Sequence, residues 1–138
     1  MADTVKKMEY CYATVDDTAG EGARVLDGLK QAGVNLLAFH AFPTGGGKSQ
    51  LDFVAPDAAK LAAAADQAGV TVSARKTVFL IDGQDRPGAV AEILGQLGAA
   101  RINVTAVDAV CSGGGRFGAL LWVKPGDVAA AAKALGAA

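Results

Sequence analysis

The sequence predicts an α+β fold built from two copies of one antiparallel unit, and three observations predict it. First, Asp17 and Asp85, Gly20 and Gly88, Leu26 and Leu94, Leu29 and Leu97, Asn35 and Asn103, and Gly45 and Gly113 all stand 68 positions apart. Matches at one spacing, shared by glycines, asparagines and apolar positions, mark an internal repeat. Second, runs of β-forming residues alternate with stretches of helical periodicity, in the order strand, helix, strand, strand, helix in each copy. Third, glycines 45–47 and 113–115 separate the two adjacent strands of each copy, which suits a hairpin and hence antiparallel pairing. Past the glycines the register slips by one residue, since Pro56 and Pro125 are 69 apart.

The elements follow from local chemistry. Met8 to Val15 is a β-forming run that ends at Asp16-Asp17. Thr18-Ala19-Gly20-Glu21 has the spacing of a capping box, in which Thr18 caps the amide of Glu21 and the Glu21 carboxylate reaches back. Val25, Leu26 and Leu29 give that helix its buried face, and Gly33 ends it. Asn35 to Phe42 and Gln50 to Val54 are the next strands, and Asp57 is placed to cap an alanine-rich helix reaching about Gln67. Gly69 stops it, and Val70 to Ala74 is a short closing strand.

Ala74-Arg75-Lys76 leads directly into the strand Thr77 to Asp82, so the domains are expected at 1–75 and 76–138 with no linker. In the second copy Pro87 suits the first helical position, and Val90, Ile93, Leu94 and Leu97 fall at i, i+3, i+4, i+7. Strands at Asn103 to Cys111 and Phe117 to Val123, then a helix at Asp127 to Leu135, complete it. A counterpart of Val70 to Ala74 is missing, which leaves a sheet edge for the N-terminal residues or a partner to cover. Each copy thus has the ferredoxin-like βαββαβ order, an antiparallel sheet with both helices on one face, the second copy lacking its last strand.

Composition narrows the function. Halves of a 138-residue chain lie near the lower size limit for independent folding, so the two are expected to need each other. A formal net charge of −1 with both signs dispersed argues against a nucleic-acid footprint. No apolar run has the length of a membrane span and no signal peptide is visible, so a soluble cytoplasmic protein is expected. Cys11 and Cys111 have no CxxC or histidine neighbours; both read as small buried hydrophobes, and no metal or other cofactor is expected. His40 has no visible nucleophile or metal partner, so catalysis has no residue set to rest on. Gly20-Glu21-Gly22 falls short of a dinucleotide loop because Val25 stands where the third glycine belongs.

Asp85-Arg86-Pro87-Gly88, the apolar helix face behind it, and Ile102-Asn103-Val104 together resemble the ACT domain, a small ligand-binding module of ferredoxin-like fold in regulators of amino-acid metabolism. The resemblance spans both copies; in the first, Asp17, Gly20 and Val34-Asn35-Leu36 remain and Ala19 replaces the usual proline. It is strongest to small stand-alone proteins of two such domains. The resemblance implies an amino-acid site between domains, with Gln84, Asp85, Arg86, Pro87, Gly88 and Ala89 on one side and Asn35 or Asn103 on the other. Where some family members carry a ligand-contacting histidine, this chain has Gly83.

Electrostatics fits that expectation, because unpaired amides and a partial positive charge at a helix start suit a carboxylate. The capping box would close the first helix start, while Arg86, at the expected cap position of the second, cannot accept an amide hydrogen. Asp85 would then receive the ligand's ammonium. The same residues equally make an ordinary helix start, with Asn35 and Asn103 closing turns. The leading expectation is a non-catalytic regulatory protein that binds an amino acid or similar small zwitterion, pairs as a homodimer, and acts on an enzyme or transport partner. The alternative is an interaction or assembly subunit with vestigial ligand sites.

Overall fold

The structure, a computed structural model, describes residues 3–138. Its elements are β1 (Thr4–Asp16), α1 (Glu21–Gln31), β2 (Ala38–Gly45), β3 (Lys48–Val54), α2 (Ala58–Gln67), β4 (Lys76–Gln84), α3 (Ala89–Ala99), β5 (Val104–Val110), β6 (Arg116–Val123) and α4 (Val128–Leu135). This is the expected α+β class, with antiparallel pairs β1/β3, β2/β3, β4/β6 and β5/β6. The chain divides into two compact units, Glu9–Lys76 and a second that joins Thr77–Ala138 to the residues up to Met8.

In the unit Glu9–Lys76 the strands run β2-β3-β1. Cys11 lies opposite Phe53 and Ala13 opposite Leu51, so these residues share one sheet face. That face packs on Val25 and Leu29 of α1 and on Leu61, Ala64 and Ala65 of α2. Asp57 caps α2 as expected, accepting the Lys60 amide at 3.1 Å.

In the other unit β4, β6 and β5 are neighbours in that order, and Phe79, Ile81, Phe117, Ala119 and Leu121 form the inner face. Ala89, Ile93 and Leu97 of α3 and Ala131 and Leu135 of α4 cover it. Leu97 and Leu121 are fully buried, and side chains of this size each contribute about 1.5–3 kcal/mol by burial.

β1 begins four residues before the expected Met8. Its early half lies beside β4, Val5 enters the second unit's core, and Ala138 pairs with it, accepting from the Lys7 amide and donating to the Val5 carbonyl, both at 3.1 Å. The edge left by the missing last strand is therefore covered by the start of β1, the first of the two candidates. The expected strand Val70 to Ala74 is not regular: the Ser73 amide donates to the Tyr12 carbonyl at 2.7 Å, but the returning bond from the Tyr12 amide goes to Ser73 Oγ at 2.9 Å. A side-chain acceptor replaces the ladder there.

Backbone bonds recur at the spacing of the repeat. Asp17 and Asp85 donate to Gly47 and Gly115 at 2.8 and 2.9 Å, and Val34 and Ile102 to Leu29 and Leu97 at 3.0 and 2.9 Å.

Candidate functional site

Both helix starts differ from the sequence expectation in the same way. Gly20 and Gly88 are the N-cap residues, with φ of 91° and 80°, and no side chain caps either helix. Such left-handed conformations favour glycine. The capping box does not form: Glu21 turns to Arg24, which donates to both its carboxylate oxygens at 3.2 Å. Arg86 is not the cap, and Pro87 lies in the preceding turn because α3 begins at Ala89. The expected contrast between a closed first start and an open second one is thus overturned; a glycine turn replaces the side-chain cap in both.

Beside the start of α3 lies an open groove of about 360 Å³. Asp85, Arg86, Gly88 and Ala89 line it, facing Val110 and Cys111 at the end of β5 and Phe117 of β6. Of the other residues named from the sequence, Gln84 ends β4 opposite Arg116, Pro87 is in the turn, and Asn103 precedes β5; none lines the groove. Asn35 lies before β2, which starts at Ala38, in the other unit.

Asp85 and Arg86 are held differently. Asp85 accepts a hydrogen bond from Cys111 Sγ at 3.2 Å. Cys111 is therefore exposed at the groove and not a small buried hydrophobe, because β5 ends at Val110; Cys11 is the buried one. Arg86 donates from Nη1 to Asp3 Oδ1 at 3.1 Å and to the Gln84 carbonyl at 2.9 Å, and from Nη2 to Asp3 Oδ2 at 3.3 Å and Glu92 at 2.7 Å. The bonds to Asp3, and then those to Glu92, raise the Arg86 pKa and hold the guanidinium charged. Asp3 sits against Gly83, where an added Cβ would collide with its carboxylate and stand 2.7 Å from the Phe117 ring.

Sequence reasoning missed the β5 and β6 wall and Asp3. The signal for the wall was the pairing of β5 with β6 that the glycine turn 113–115 implies. Nothing local in Asp3 distinguishes it.

A smaller groove of about 260 Å³ occupies the corresponding place in the first unit, lined by Asp17, Thr18, Glu21, Gly22, Phe42 and Ser49 among others. There Ser49 Oγ donates to Asp17 at 2.9 Å and Lys48 Nζ to Asp16 at 2.6 Å. Among the described residues no group of three or more His, Cys, Asp or Glu side chains is placed to hold a metal ion, and no helix is long and apolar enough to cross a membrane. His40 stacks obliquely on Phe42 with ring centroids 5.1 Å apart, its Nδ1 3.5 Å from Asp52.

No family model matches the chain, and no curated protein matches it. Solved structures share its fold. Protein BT0572 from Bacteroides thetaiotaomicron is 18% identical with a TM-score of 0.78, over 94% of this chain and 88% of that one. The ligand-free regulatory subunit of aspartate kinase from Thermus thermophilus is 14% identical with a TM-score of 0.66, over 99% and 95%. The same subunit from Thermus flavus is 15% identical with a TM-score of 0.64, over 98% and 94%. The α+β fold is thus one that regulatory subunits of aspartate kinase share, in keeping with the ACT-type fold read from the sequence.

Proposed function

We propose that this chain is a non-catalytic regulatory protein of two ferredoxin-like ACT-type repeats that binds an amino acid or similar small zwitterion at the start of α3. The observation that carries the reading is the groove beside Gly88, which combines an uncapped helix start with Asp85 and Arg86. First-turn amides lack intrahelical partners and favour a carboxylate, while Asp85 suits an ammonium. Val90, Val110 and Phe117 give the ligand's side chain an apolar wall.

Asn103 or Asn35 of a second copy completes the site in a homodimer, and ligand binding stabilises one packing that an enzyme or transport partner reads. The shared fold with aspartate kinase regulatory subunits supports the regulatory role. Calorimetry with a panel of amino acids tests the site: one should bind, and Gly88→Asp or Asp85→Ala should abolish it. Binding that survives both substitutions rules the site out. If no amino acid binds or raises the melting temperature, the assembly-subunit reading takes its place.

A further inference from the structure

The start of β1 bears on how the groove at α3 is filled, an inference that rests on the ligand reading above. A guanidinium has five N–H donors, and the four on Nη1 and Nη2 of Arg86 are all engaged, two of them by the two oxygens of Asp3. Among the described residues only Nε–H is left over, and a single donor cannot make the two-point bond by which arginine recognises a carboxylate. A carboxylate in the groove therefore gains that bond only if one present acceptor withdraws.

Asp3 is the one that matches a ligand carboxylate in chemistry and in mode. It is also fitted to its place: its side chain is 15% exposed against 63% for Glu92, and only a glycine at position 83 leaves room for it. We propose that Asp3 is an internal competitor, a carboxylate from the chain itself that occupies Arg86 until the carboxylate of a bound amino acid displaces it. Displacement frees the residue immediately before β1. The consequence passes to Val5 and Lys7, whose backbone bonds to Ala138 hold the early part of that strand.

An internal occupant lowers apparent affinity by the fraction of molecules in which the site is free, so removing it strengthens binding. The test is calorimetry of the twenty L-amino acids against the wild-type protein and Asp3→Asn, with amide hydrogen exchange at Val5–Lys7 in the wild type. At least one amino acid should bind Asp3→Asn about tenfold more tightly, and the same compound should speed exchange at Val5–Lys7. Equal or weaker binding to Asp3→Asn, with binding to the wild type intact, overturns the competition and leaves the ligand site standing. Absence of binding to both proteins overturns the site and the competition together. Should Asp3→Asn fail to fold, exchange in the wild type decides: unchanged or slower exchange at Val5–Lys7 under a saturating amino acid overturns the proposal.

Discussion

Gly28 on α1 and Ala68 at the end of α2 approach so closely that a Cβ on residue 28 would stand 2.6 Å from the Ala68 methyl. Alanine in a helix interior usually stabilises relative to glycine by about 1 kcal/mol. Here the sign should reverse. Gly28→Ala is expected to lose about 1–3 kcal/mol through overpacking, measured by urea unfolding; a raised midpoint would mean that the helices separate freely.

Leu97 is fully buried among α3, α4 and the inner faces of β4 and β6. Leu97→Ala should cost about 2–5 kcal/mol. Calorimetric melting checks this, and a loss under about 1 kcal/mol would indicate that the site collapses around the smaller side chain.

The role of the early part of β1 separates two neighbouring positions. Val5 is 8% exposed and packs in the second unit's core, whereas Lys7 is exposed. Val5→Asp places an unpaired carboxylate in apolar surroundings and should cost more than about 2 kcal/mol. Lys7→Asp should stay within about 0.5 kcal/mol of the wild type. Equal effects at the two positions would contradict the placement of Val5.

The two cysteines should differ in reactivity. Cys111 is exposed and should react with a thiol reagent in the native protein, while Cys11 should react only on unfolding. Burial, opposed in part by Arg75, pushes the Cys11 thiol above its ordinary value of 9.0. Its contribution to stability is therefore complete below that ordinary value and is lost as the pH rises from there through the raised value of the folded state, because the unfolded chain releases the proton first. Cys11→Ala should flatten the alkaline end of the stability profile; an unchanged slope would refute the assignment.

The order of elements was legible because it depends on periodicity and turn chemistry, which are local. Val25, Leu29, Ile93 and Leu97 are buried as their spacing requires. The turn residues Asp85 and Gly88 were legible through the repeat, and they do border a groove. Capping was misread because Thr18 and Glu21 have the right spacing, yet Gly20 in the left-handed conformation sets the helix start two residues later than a threonine cap would allow. Cys111 was misjudged because an apolar run does not reveal where a strand stops. Asp3 could not be read, since its partner Arg86 is 83 residues away.

Because β1 serves both compact units, the boundary at 75/76 suggested by the repeat is a poor place to cut. A fragment 76–138 would leave an unfilled hole where Val5 belongs, and a fragment 1–75 would leave Val5 without the core it packs in. The end of the chain at Ala138 meets the start of β1 between Val5 and Lys7, so a cut anywhere in residues 3–8 loosens both ends at once.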